Sequence, residues 1–269
     1  MGYEAFLREM YAGAELDAED LLLLEPDQIR TLPDRALGPA LAATLAAHPV
    51  VERLFRKRCP ELGGWLDEVA AEHGPADDPA EAARLTDSLV WEIAELILYN
   101  KDPAMYDRRT DLDWSLDELL RIAPVDDRVV IDAGAGTGRI TFLAADRARH
   151  VYAVEPCAGM RHFVADKARD QGLRNVFALD GLLSRIPMPD DSADVLLTSN
   201  AIGWDLPAEL AEIERVVKPG GRAAHLLATP GDYDEAPMRD ALTAPEAGYE
   251  RVPIPDEAMF KVAYVKTVG

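Results

Sequence analysis

VVIDAGAGTGRI, residues 129–140, is the stretch on which the reading of this chain turns. An apolar run ends at Asp132, glycines follow at 134, 136 and 138, and an amphipathic stretch begins at Arg139. Glycine lets a backbone turn tightly and lets a ligand approach where a Cβ would otherwise stand. The segment therefore reads as a strand, a turn open to a ligand, and a helix start. The dinucleotide fingerprint puts its third glycine three residues after the second. Here that position is Arg139 and the glycine falls at 138, which argues against a nicotinamide dinucleotide.

Outward from this segment the texture is that of βαβ units, short apolar runs alternating with amphipathic helices, which predicts a parallel sheet. Strands are expected at 128–132, 150–155, 176–179, 193–199 and 222–228, and helices near 139–149, 159–171 and 207–217. The tail predicts two extended segments, 249–254 and 260–267, joined by PDEAM as an antiparallel pair at the sheet edge.

Acids recur where these strands end. VYAVEP brings Glu155 to a point 23 residues beyond Asp132, and VFALDG brings Asp180 past the third strand. DDSADVLLTSNAIGW closes the fourth strand, and EIERVVKPGGR leads into the fifth. Open α/β sheets bind ligands outside the carboxyl ends of their strands, so this register points to one crevice.

These pieces, in this order, resemble the class I S-adenosylmethionine-dependent methyltransferases of the type 11-like group, over about half the chain. The resemblance implies an α/β, Rossmann-like, doubly wound and mostly parallel seven-stranded sheet. It also implies S-adenosylmethionine as cofactor, held by Asp132, Gly134, Ala135, Gly136 and Gly138, by Glu155 and Pro156, by Asp180, Gly181 and Leu182, and by Asn200. In that family the acid at Glu155 accepts from both ribose hydroxyls, a task suited to a carboxylate with two acceptor oxygens. The acid at Asp180 accepts from the adenine amino group.

A sulfonium methyl is already activated, so catalysis requires mainly that the acceptor be held in line and water be excluded. No catalytic residue is assigned; Asn200, Trp204 and Tyr106 are the candidates. Many relatives carry a His near Gly203 or Trp204, where this chain reads NAIGW. Trp204 would either stack on a flat substrate or on the adenine edge, or pack plainly under the helical cap. His150, His162 and His225 read as structural. The expected reaction is in-line methyl transfer to a small-molecule acceptor, the alternative being a cofactor-binding module that transfers nothing.

Residues 1–112 form a second region, in which apolar residues recur at helical spacing, and the expectation is a helical cap of four or five helices ahead of a domain at 113–269. One helix is expected over 39–58 and another over 79–100, with Leu85, Leu89, Ile93, Leu96 and Ile97 as its apolar stripe. The junction 96–114 reads either as a lid with aromatic walls, Arg108 or Arg109 reaching the cofactor carboxylate, or as a plain linker.

Acidic residues outnumber basic ones 49 to 28, spread along the chain, which leaves no basic face for a phosphate backbone and makes nucleic acid an unexpected partner. Cys59 and Cys157 stand alone, without His or Cys at metal-ligand spacing, so neither a disulfide framework nor a metal site is expected. MGYEAFLREM lacks a cationic start, and LLLL at 21–24 is far short of the roughly 20 residues of a membrane span, so no membrane association and a cytoplasmic location are expected. A homodimer is compatible with all of this.

Overall fold

The computed structural model describes residues 3–109, 113–230, 234–256 and 259–269. The middle of the 96–114 junction and of the PDEAM connection therefore lies outside the described residues. The chain divides into two compact units, Met1–Tyr106 and Asp107–Gly269.

The first unit is helical. It comprises α1 (Tyr3–Met10), α2 (Pro26–Ile29), α3 (Gly38–Ala47), α4 (Pro49–Arg58), α5 (Gly63–His73), α6 (Pro79–Glu92) and α7 (Ala94–Lys101), and α8 (Pro103–Asp107) runs to its end. The expectation of four or five helices was too low, because both long helices are broken. The 39–58 helix stops at His48, whose φ of −124° and ψ of 73° precede Pro49 at the first position of α4. Proline crowds the residue before it out of the helical region. The 79–100 helix breaks at Ile93, with φ −122° and ψ 21°.

The reason for the second break is burial on two sides. Leu89, Val90, Ile93, Leu96 and Ile97 enter the main core of this unit with Leu21, Leu41 and Phe55, whereas Trp91, Ala94 and Leu98 enter a separate cluster with Leu7 and Tyr11. A straight helix presents one apolar stripe; the break lets α6 and α7 serve two clusters. Asp78 starts α6 by accepting from the N–H groups of Ala80 and Glu81, a cap worth about 1 kcal/mol.

The second unit contains α9 (Leu116–Ile122), β1 (Val129–Ala133), α10 (Arg139–Ala145), β2 (His150–Val154), α11 (Ala158–Asp170), β3 (Val176–Leu179), β4 (Ala193–Ser199), α12 (Leu206–Val216), β5 (Val217–Pro230), α13 (Ala236–Leu242), β6 (Glu250–Pro253) and β7 (Met259–Thr267). The sheet has seven strands in the order β3-β2-β1-β4-β5-β7-β6. β1 to β5 pair in parallel, and β7 pairs antiparallel with both β5 and β6. The expected fold class is the observed one.

Successive β1 residues serve opposite faces. Val130 packs with α9 and α10 through Ile122 and Ile140, and Ile131 packs with α12 and α13 through Ile213 and Leu242. Helices on both faces explain why the parallel strands read as unbroken apolar runs. The strand expected at 222–228 starts earlier, at Val217. Between the pairs Ala193↔Val217 and Val195↔Arg222 the register shifts, so Pro219, Gly220 and Gly221 bulge out inside β5 instead of preceding it. Lys218 anchors the bulge on Asp194 at 2.7 Å.

Candidate cofactor site

Chain order reverses between β1 and β4, and a crevice forms where strand order reverses. At the exit of β1, Gly134, Gly136 and Gly138 all have positive φ (70°, 54° and 85°). The N–H groups of Gly134 and Ala135 donate to Val154 O at 2.8 and 3.2 Å, which ties the loop to the end of β2. A Cβ on Gly134 would stand 2.4 Å from the Ala201 Cβ, and one on Gly138 would stand 2.7 Å from the Phe142 ring. At Gly136 no atom lies within 4 Å of the Cβ position. Two of the glycines thus serve close packing, and the third borders open space.

Asp132 is buried and accepts from Thr141 Oγ1 at 2.6 Å, linking β1 to α10. Burial pushes its pKa up to about 6. Glu155, directly after β2, is 8% exposed and accepts Gly136 N–H on Oε2 and Cys157 N–H on Oε1, each at 2.9 Å. Its pKa is pushed up to about 7, chiefly by burial and slightly by the Asp132 charge, against the two N–H donors and Arg161. Pro156 is half-buried beside it.

Asp180 follows β3 with its side chain 75% exposed, and lies 3.2 Å from Arg161 Nη1. Gly181 is buried; a Cβ there would stand 2.7 Å from Pro187 Cδ and 3.0 Å from Val154 Cγ1. Leu182 is half-buried and bridges to Arg185. Arg161 thus links the Glu155 main-chain carbonyl to the Asp180 carboxylate, whereas the Asp132 carboxylate is turned to Thr141 on α10.

Past β4, Asn200 has a φ of 53°, and its amide donates to Ala228 O at 2.9 Å and accepts from Ala228 N at 3.1 Å. Its side chain thereby extends the β4–β5 ladder. Trp204 is 74% exposed. The loop that carries it is fixed by Glu209, which is buried and accepts from Gly203, Trp204 and Asp205 N–H groups at 2.7, 3.1 and 3.3 Å. Tyr106 belongs to the helical unit and sits edge-on to Tyr99, with centroids 5.1 Å apart. His225 is buried in β5 against Thr198 Oγ1 at 2.9 Å, the structural place expected for it.

Sequence reading missed Thr137, Arg161 and Glu209. Thr137 lies inside the quoted segment, and its Oγ1 is buried with no hydrogen-bond partner. Arg161 carries a cation in the first turn of a helix, against the dipole, a local anomaly that could have marked it. Nothing in the spacing of Glu209 separates it from a solvated helical acid. At the junction, Arg139 grips both flanks, donating to Asp107 O at 3.0 Å and pairing with Asp113.

Three features fit an adenosyl cofactor with an amino-acid tail. Glu155 has a second acceptor position on each oxygen for a vicinal diol, Thr137 has an unused hydroxyl, and Gly136 leaves a cradle that any side chain would fill. Among the described residues no group of His, Cys, Asp or Glu is arranged to hold a metal ion.

A family model described as a methyltransferase domain matches residues 131–225. The chain is 34% identical over 149 residues to an uncharacterized methyltransferase of Mycobacterium tuberculosis, covering 50% of this chain and 56% of that protein. It is 37% identical over 109 residues to a malonyl-[acyl-carrier protein] O-methyltransferase of Yersinia pestis, covering 40% of this chain and 39% of that one. The chain thus spans about half the length, or less, of these curated relatives. Among solved structures, a SAM dependent methyltransferase from Aquifex aeolicus superposes with a TM-score of 0.50 at 21% identity, covering 61% of this chain and 98% of that one, a likeness of fold. The ordered motifs, the strand order and these matches agree: residues 131–225 are a methyltransferase domain, set in a sheet folded as in a SAM dependent methyltransferase.

Proposed function

We propose that this protein binds S-adenosylmethionine over the carboxyl ends of β1, β2 and β3 and promotes transfer of its methyl group to a small-molecule acceptor by in-line displacement. The observation that carries the reading is Glu155, a buried carboxylate that holds the Gly136 and Cys157 N–H groups and borders the open space at Gly136. A carboxylate is costly to bury without partners; one placed beside a cradle that protein atoms leave empty is suited to accept from ribose hydroxyls.

In this reading Gly134, Ala135, Gly136 and Gly138 form the cradle, and Thr137 offers its hydroxyl to the amino-acid end. Asp132 acts one step back, fixing the loop on α10 through Thr141. Asp180 and the Gly181–Leu182 backbone border the adenine, with Pro156 against the ribose. Asn200 holds the end of β4 to β5 and so sets the floor under the reacting methyl. S-adenosylmethionine, when bound, supplies a methyl group already activated by its sulfonium. The protein's own work is orientation and exclusion of water, worth up to about 7–11 kcal/mol for well-placed reactants. Trp204, exposed on a loop fixed by Glu209, is the residue we assign to acceptor contact. The helical unit is assigned to acceptor selection on domain order alone.

Isothermal titration with S-adenosylmethionine and with its demethylated product tests the site, and mass spectrometry over a panel of small hydroxyl, amine and carboxylate acceptors tests the transfer. Absence of binding at high micromolar concentration defeats the reading. Tight binding with no methylated product across the panel favours a cofactor-holding module instead.

A further inference from the structure

The first turn of α11 contains Arg161 and no acidic residue. A cation there faces the positive end of the helix dipole, and what the guanidinium touches accounts for its presence. Nη1 donates to Glu155 O at 2.9 Å and to Pro156 O, and it lies 3.2 Å from Asp180 Oδ1. One group therefore joins the turn leaving β2 to the residue leaving β3. Arg161 is 19% exposed and Asp180 is 75% exposed. The carboxylate is the mobile partner by exposure, and the guanidinium, held by two main-chain carbonyls, is the fixed one.

We infer that Arg161 is a positioning residue for adenosyl recognition: it holds the Asp180 carboxylate at a set place relative to the Glu155 turn, so that ribose and adenine meet their acceptors together. The inference rests on the cofactor reading above. A carboxylate held through Oδ1 still has Oδ2 to accept from an exocyclic amine. Fixing one side chain in advance spares the ligand an ordering cost equivalent to roughly two- to tenfold in affinity.

The probes are methylthioadenosine and methylthioinosine, which differ in the amino group that Asp180 would meet. The full chain should prefer the adenosine form. At pH 9, where Glu155 is ionised with or without Arg161, affinity for methylthioadenosine in Arg161→Met should fall roughly two- to tenfold further than affinity for methylthioinosine, so the preference shrinks. Arg161→Lys should keep part of the preference, and it stands in should the methionine variant fail to fold. Once Asp180→Ala is present, adding Arg161→Met should cost nothing further. Unchanged preference in Arg161→Met, equal weakening toward both nucleosides, or losses that multiply with Asp180→Ala would each overturn the inference while leaving the cofactor site intact. Should Asp180→Ala itself leave methylthioadenosine affinity unchanged, the assignment of Asp180 to adenine falls and this inference falls with it.

Discussion

Glu155 makes cofactor affinity depend on pH in a way that can be worked out in advance. Its carboxyl is buried, and its pKa is pushed up to about 7, with Asp132 raising it and Arg161 opposing. Ribose hydroxyls donate to the ionised form, so binding requires ionisation and releases a proton wherever the empty site holds one. The ionised fraction falls from about nine-tenths at pH 8 to about one-tenth at pH 6, a tenfold loss of affinity worth about 1.4 kcal/mol. For the empty protein the sign is the reverse. A carboxyl whose folded pKa lies above its unfolded value favours folding most at low pH, and that contribution, about 3 kcal/mol, is lost as pH rises from near 4.5 to near 7. Titration calorimetry with methylthioadenosine, which has no amino-acid group of its own to titrate, reads the affinity. Runs at pH 7 in buffers of different ionisation enthalpy read the proton release, about half a proton per site. Glu155→Gln should bind more weakly at pH 8 and show a flat profile. A flat profile in the unaltered protein, or the same slope in Glu155→Gln, would refute the assignment of the ribose acceptor.

Gly136→Val should abolish binding of the demethylated product in calorimetry, because the side chain enters the cradle, and a φ of 54° adds backbone strain of about 1–2 kcal/mol that a thermal melt will register. His225 is buried and its pKa is pushed down to about 3, so its own share of stability should fall by about 1.4 kcal/mol per pH unit as pH falls from 6.5 towards 4, against the opposite trend from Glu155 and Asp132 over the same range. In urea titrations at several pH values, the stability of His225→Leu relative to the unaltered protein should rise by that amount per pH unit as pH falls, from a start set back by an unpaired Thr198 hydroxyl. Glu209→Ala should lower stability by about 2–3 kcal/mol and raise the protease sensitivity of the Trp204 loop, since three N–H groups lose one charged acceptor. An unchanged digestion pattern would remove Glu209 from that role.

Much of the α/β half was legible because its signals are local. A strand exit that must turn tightly needs glycines, and a parallel strand covered on both faces must be apolar throughout, so residues 129–140 and the runs that follow announce strands, turns and helices, most within a residue or two, although the helix expected over 139–149 ends at Ala145 and the fifth strand starts at Val217. The alternation of β and α segments then limits topology, because parallel neighbours need crossovers. Where Pro49 broke a helix, the chain carried the sign and the apolar periodicity around it masked it. Ile93 is different: the break there depends on two separate clusters claiming opposite sides of one apolar stretch, and only the packed helical unit has two clusters.

The amino-acid order alone thus determined which residues stand at the ends of successive strands. What each carboxylate does once there was decided by tertiary structure, because burial and partners are properties of the neighbours. Asp132 and Glu155 look alike as acids after apolar runs. In the fold one turns under the sheet end to Thr141 and the other gathers Gly136 and Cys157 at the rim. Arg161 and Glu209 acquire their roles in the same way, from backbone groups that adjacent strand ends and loops bring within hydrogen-bond reach.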